Sequence, residues 1–299
     1  MPGKLAIVLS GGGAKGAFQV GVLDALINGK GVQPAIAVHA QACSYDRAGS
    51  GYSDPGERTG TSANIVDDLH RLLAAAAIEP PYILVGHSYG GMNVRLYADL
   101  YPTEVVGMVL IDPSEEDWVD SAWKLDLLQR TREQYQLQLE TFWQEQRECV
   151  KAASAGLTAG TPIYQRCVPG PDPNFSAAIN AAYLKVHLGS AYQRATLTED
   201  ESVHEASADQ VRAAWRWFGD MPLIVLASSP RKKLRDNETQ EHMDAVNRVH
   251  LFLFDRMALQ SRRGVVRQVP DSGHNIQMSQ PGAVIDAILE VLKASTGRH

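Results

Sequence analysis

The chain has 299 residues, of which 21% are charged and 44% hydrophobic, and it carries a formal charge of −6. That balance excludes intrinsic disorder and argues against nucleic acid as a principal partner. A chain of this length can bury about 75% of its unfolded surface, in one large domain or two modest ones.

The opening apolar run Leu5–Leu9 is too short for a signal-peptide core, and no run approaches the roughly 18 apolar residues of a membrane span. The expectation is a soluble, cytoplasmic protein without stable membrane insertion. Cys43, Cys149 and Cys167 form no Cys-x-x-Cys pattern, although Cys149 and Cys167 can bridge in an oxidising compartment.

In chain order, the apolar β-type runs are Leu5–Leu9, Ala42–Tyr45, Tyr82–Val85, Val105–Ile111, Pro222–Ala227 and Val265–Val269. Amphipathic helical stretches separate them. One runs from Ala14 to Leu26, with Phe18, Val22 and Leu26 on one face; another carries Ile65, Leu69, Leu72, Leu73 and Ala76; a last one carries Val284, Ile285, Ile288 and Leu292. Alternation of this kind predicts an α/β fold, a mostly parallel sheet with helices on both faces. It breaks between Glu115 and Asp220, a mainly helical stretch that holds all five tryptophans. Residues 1–114 and 221–299 are therefore expected to form the core and 115–220 an inserted helical cap.

The strongest signal is Ile83-Leu84-Val85-Gly86-His87-Ser88-Tyr89-Gly90-Gly91, a buried-strand pattern that runs straight into a helix. A serine on a tight strand-to-helix turn projects its hydroxyl outward, and glycines two residues to either side let the backbone pass closely. The start of the helix places the Tyr89 N–H where it can donate to a developing oxyanion, and the helix dipole favours that charge. A serine hydroxyl attacks only when a histidine takes its proton, and the histidine needs an acid to hold its tautomer. Of nine histidines, His274 is selected because Val265–Val269 reads as the last strand and Asp271–His274 as the turn after it. His87 reads as packed beneath the serine turn, and His242 and His250 as residues of a surface helix.

About residues 39–299, on the Gly-His-Ser-Tyr-Gly motif, the Ser44–Gly56 loop, the block Val106–Pro113 and the Gly273-His274 turn, resemble the esterase and lipase branch of the α/β-hydrolase superfamily. The resemblance implies an α/β-hydrolase fold, here without its first two strands, and cleavage of small-molecule carboxylic esters of short to medium acyl chains without metal or organic cofactor. That superfamily usually supplies the acid shortly after the penultimate strand, but Leu226–Lys233 contains no carboxylate; Asp236 and Glu238 come first. Asp112, at the end of Val105–Ile111, resembles the alternative acid position of the pancreatic-type lipases and is the preferred choice, with Asp236 and Glu238 kept as alternatives. Because the same superfamily includes ligand-sensing proteins, a hydrolase-like receptor with little turnover is the rival.

About residues 4–38 look different: the strand, triglycine loop and helix resemble patatin-like phospholipases. A patatin-type enzyme needs a Gly-x-Ser-x-Gly elbow after the next strand, yet Ala35–Val38 leads to none, and Gly60-Thr61-Ser62-Ala63-Asn64 lacks the last glycine. Gly11, Gly13 and Gly16 also match a dinucleotide fingerprint, but no acidic residue follows between Gly29 and Gln41 to hold a ribose. The segment instead suits a central strand and an oxyanion loop, in which Gly12 or a neighbour would give the second N–H beside that of Tyr89.

Overall fold

The computed structural model describes residues 6–10, 32–128, 130–173, 175–232, 234 and 238–296. Among these residues six strands form one sheet: β1 (Ala6–Ser10), β2 (Gln41–Ser44), β3 (Tyr82–His87), β4 (Val105–Ile111), β5 (Leu223–Ala227) and β6 (Gly264–Gln268), in spatial order β2-β1-β3-β4-β5-β6. Every pairing is parallel. All six strands fall where the apolar runs place them. The order reverses between β1 and β3, so the strand that leads to Ser88 lies at the switch point, where a crevice opens beyond the carboxyl ends of the strands.

β1 lies inside the sheet. It pairs with β2 on one side and with β3 on the other, Ser10 opposite Gly86. The segment from Val32 to Ala37 is a helix, α1, and not the strand a patatin-type arrangement would require. The Ala14–Leu26 helix, the glycine loop and Gly12 lie outside the described residues.

Every β3 residue is buried, and its side chains alternate between two covered faces. Leu84 joins Met108, Leu110 and Val225 under α2 (Ser62–Ala75), α3 (Tyr89–Leu100) and α10 (Gln240–Ala258), while Ile83 and Val85 join Val109, Ile224, Val284 and Ile288 under α1, the short α11 (Ile276–Ser279) and α12 (Pro281–Thr296). In α2, Ile65, Val66, Leu69 and Leu73 face this core, but Leu72 is exposed. Thr61 caps the helix, its side-chain oxygen accepting from the Asn64 N–H.

Between β4 and β5 the chain is helical: α4 (Trp118–Lys124), α5 (Arg132–Ala155), α6 (Pro162–Cys167), α7 (Ala177–His187), α8 (Ser190–Ser202) and α9 (Ala206–Ala214). Thr131 and Gln134 form a reciprocal capping box that starts α5. α5 packs against α8, whereas α9 packs on α2 and α3 and places Ala208 and Val211 in the sheet's own core. A disulfide joins Cys149 of α5 to Cys167, the last residue of α6, 18 positions apart. Closing a loop of that size restricts the unfolded chain by about 3 kcal/mol. The Cys149→Ser, Cys167→Ser double variant should therefore melt several degrees lower, and a reductant should lower the wild type to match.

Asp99 on α3 is an outlier among the buried charges. Both carboxylate oxygens are buried and take no hydrogen bond among the described residues, and burial raises its pKa to about 7 despite the pull of Arg95. Since the folded pKa exceeds the unfolded one, this group's contribution to stability is complete below the ordinary carboxylate range and is lost as pH rises through 7. Asp99→Asn should raise stability at pH 8 by about 1–3 kcal/mol, and the gap from wild type should close towards pH 4. Thermal melts across that range check both statements.

Candidate active site

The turn after β3 is built as the glycines require. A Cβ on Gly86 would stand 2.4 Å from the Gly90 carbonyl oxygen, and one on Gly91 would stand 2.5 Å from the Cβ of Pro113. No side chain larger than hydrogen fits either position without moving backbone. Between them Ser88 adopts φ 52°, ψ −124°, outside the ordinary regions for a non-glycine residue. Its N–H donates to the Ile111 carbonyl at 3.1 Å and its carbonyl accepts from the Ser114 N–H at 2.9 Å, so the end of β4 holds the turn from both sides. Ser88 is half-buried, and Tyr89 opens α3, where first-turn N–H groups lack helical acceptors.

Asp112 follows β4 directly, with φ 40°. One carboxylate oxygen accepts from the Ser228 N–H at 2.8 Å and the other from His274 Nδ1 at 2.7 Å. Burial pushes its pKa up, but these hydrogen bonds outweigh burial and hold it below the usual carboxylate value. A carboxylate only accepts, so His274 carries its proton on Nδ1 and presents a basic Nε2. The His274 side chain is 56% exposed and that of Asp112 14%, so the carboxylate is covered and the imidazole accessible.

Of the two alternative acid candidates, the one within the described residues is engaged elsewhere. Glu238 is buried in a bidentate ion pair with Arg231, and Asp236 lies outside the described residues. Ser62 is fully buried: its hydroxyl donates to Asn93 Oδ1 at 2.7 Å and its N–H to Ser207 at 2.9 Å. The Tyr89 hydroxyl completes this polar cluster by donating to the Gly60 carbonyl. Ser62 is a structural serine.

Asp112 and His274 border a cleft of about 440 Å³ whose wall includes Ser114, Ser228, Trp118 and His250. His250 lies on the surface helix α10 with its side chain partly exposed, and it also reaches a buried acid. Its Nδ1 lies 2.7 Å from the buried Glu115 carboxylate and its ring stacks on Trp118, centroids 4.2 Å apart. Burial lowers the His250 pKa, but the hydrogen bond to Glu115 outweighs burial and raises it. No sequence spacing links Glu115 to position 250; only the packing of α4 on α10 brings them together. A larger cleft, about 1060 Å³, lies between the residue 45–60 loop, α2 and α8, and none of Ser88, Asp112 and His274 lines it.

Residues 7–161 match the family described as alpha/beta hydrolase fold. The chain belongs to the α/β-hydrolase family. The match begins within β1 and so includes the patatin-like segment; no comparison supports a separate patatin-type unit. The chain is 23% identical over 278 residues to an AB hydrolase superfamily protein of Gibberella zeae, covering 83% of this chain and 77% of that one. It is 42% identical over 73 residues to the uncharacterized protein YqjL of Bacillus subtilis, a match that spans 24% of this chain and only 29% of that protein. Among solved structures, a haloalkane dehalogenase variant from Bradyrhizobium elkanii superposes with TM-score 0.64 at 16% identity, covering 100% of this chain and 93% of that one. A carboxylesterase structure from Nitrososphaera gargenis superposes with TM-score 0.53 at 14% identity, covering 98% and 92%. At such identities these α/β-hydrolase structures speak to the fold alone. Among the described residues no helix is long and apolar enough to cross a membrane.

Proposed function

We propose that this α/β-hydrolase cleaves carboxylic esters of short to medium acyl chains through an acyl-enzyme intermediate. The observation that carries the reading is the hydrogen bond between His274 Nδ1 and Asp112, in the company of a serine at positive φ on a glycine-bounded turn. Ser88 Oγ attacks the acyl carbon while His274 Nε2 takes its proton. The Tyr89 N–H receives the charge on the carbonyl oxygen, and the sequence assigns the second donor to Gly12 or a neighbour, outside the described residues. His274 then protonates the departing alcohol, and water, deprotonated by the same nitrogen, releases the acid and restores Ser88.

The identity of the nucleophile favours acyl over alkyl substrates. If Ser88 displaced halide from an alkyl carbon it would form an ether, which this machinery cannot hydrolyse. Attack on an acyl carbon forms an ester, which it can. The cleft beside His274, about 440 Å³ and bordered by Asp112 though not by Ser88, is of a size for soluble esters more than for emulsified long-chain lipid. The Cys149–Cys167 bridge favours an oxidising compartment over the cytoplasm that the sequence suggested.

The test is turnover of 4-nitrophenyl butyrate together with covalent labelling by a fluorophosphonate probe. The reading expects both. A protein that binds small esters but neither turns over nor labels would be the receptor and not the enzyme.

A further inference from the structure

We propose that His87, the residue before the nucleophile, is a positioning residue for His274: its Nε2–H holds the His274 carbonyl and so fixes where the His274 imidazole stands between Asp112 and Ser88. The inference rests on the catalytic reading of Ser88 and His274 given above.

His87 ends β3, and only 3% of it is exposed. Its Nε2 lies 2.9 Å from the His274 carbonyl oxygen, and the two rings are 4.7 Å apart between centroids. Since a carbonyl only accepts, His87 carries its proton on Nε2. The other ring nitrogen, Nδ1, is buried and has no hydrogen-bond partner among the described residues. An unpartnered buried nitrogen is unfavourable, and phenylalanine or leucine would fill the space without it. What histidine adds over those residues is the donor aimed at the His274 backbone.

His274 needs such an anchor. It follows a turn that contains Asp271 at φ 53° and Gly273, and its side chain is largely exposed. Ser272 ties the start of the turn to β5 and β6 through Ser229 and the Val269 carbonyl. Beyond Ser272, the described hydrogen bonds of His274 itself are two: Asp112 at the ring and His87 at the backbone. Anchoring at two points removes the swing that a single side-chain bond would leave. Because Ser88 follows His87 directly at the end of β3, the anchor also refers the base to the same strand end as its nucleophile.

The charge of His87 suits this work. Burial, then the nearby His274, lowers its pKa to about 4, so it stays neutral at working pH. When His274 takes the serine proton, it becomes a cation beside a neutral ring and is not repelled.

The experiment compares His87→Phe, which keeps ring shape without a donor, with His87→Gln, which keeps an N–H. With 4-nitrophenyl butyrate, His87→Phe should lose roughly 10- to 100-fold in kcat, the scale of a base displaced by about 1 Å, while KM changes less than about threefold. His87→Gln should recover most of the loss. In the Ser88→Ala background the downfield proton resonance of His274 Nδ1–H should be sharp when His87 is retained and when His87→Gln is added, and broadened when His87→Phe is added. If His87→Phe fails to fold, His87→Met provides the donor-free comparison. A donor-free variant with wild-type kcat and a sharp resonance overturns the proposal, as does an equal loss in the glutamine and donor-free variants. The resonance is read without turnover, so a wild type that hydrolyses no ester would refute the catalytic reading and leave the anchor separately measurable.

Discussion

Replacing Ser88 by alanine is expected to lower ester turnover by about 10⁴- to 10⁶-fold and to abolish fluorophosphonate labelling, with little change in melting temperature. The size of the loss follows from the covalent route: without Oγ no acyl-enzyme forms, and the remaining N–H donors only polarise a bound carbonyl towards water. The small structural effect follows from the turn. The Ser88 hydroxyl makes no capping hydrogen bond, and alanine at φ 52° has the same backbone strain as serine. Ser62→Ala should behave in the opposite way. Its hydroxyl is buried against Asn93, so the variant should lose about 1–2 kcal/mol of stability and keep its activity. Labelling that survived in Ser88→Ala and vanished in Ser62→Ala would move the chemistry to the patatin-type serine.

The strands and the serine turn were legible in the sequence because each depends on short-range pattern. Six apolar runs became six strands, and β3, β4 and β5, buried along nearly their whole length, are the ones in which burial on both faces demands continuous apolar residues. Gly86 could be read because a Cβ there would meet the Gly90 carbonyl oxygen, whereas the close approach of Gly91 to Pro113 lies one residue beyond the glycine that the motif spacing names. The β1 assignment depended on topology more than on family likeness: a strand, a loop and room for one crossover suit a parallel sheet, whatever family the wording resembles. Long-range pairings were less legible. Glu115 and His250 meet only through the packing of α4 on α10, and the Arg47–Glu199 ion pair, buried at 2.7 Å, joins the loop after β2 to α8 across 152 residues. Neither partner carries a local signature. The inserted region was legible as helical, but not that α9 would leave the other inserted helices and pack on α2 and α3. His87 was read as buried beneath the turn; its bond to the His274 carbonyl depends on where the loop after β6 comes to rest.

Asp112→Asn should cost about 10³- to 10⁴-fold in kcat. Asparagine tolerates the left-handed backbone at this position nearly as well as aspartate, so the loop after β4 should keep its path and the loss should be chemical. Asp112 now accepts twice, from the Ser228 N–H at 2.8 Å and from His274 Nδ1 at 2.7 Å. An asparagine has one accepting oxygen. If that oxygen keeps Ser228, the amide NH₂ faces His274 and forces the ring to present an unprotonated Nδ1, which leaves Nε2 protonated and unable to take the Ser88 proton. If the oxygen keeps His274, the NH₂ opposes the Ser228 N–H, and the imidazolium formed during attack still loses its counter-charge. Glu238→Gln instead breaks an ion pair with Arg231, so it should lower the melting temperature and change kcat by less than about threefold. The reverse ranking of these two variants would move the acid to the loop after β5, and with it the argument that the end of β4 supplies both the support of the serine turn and the charge behind its base.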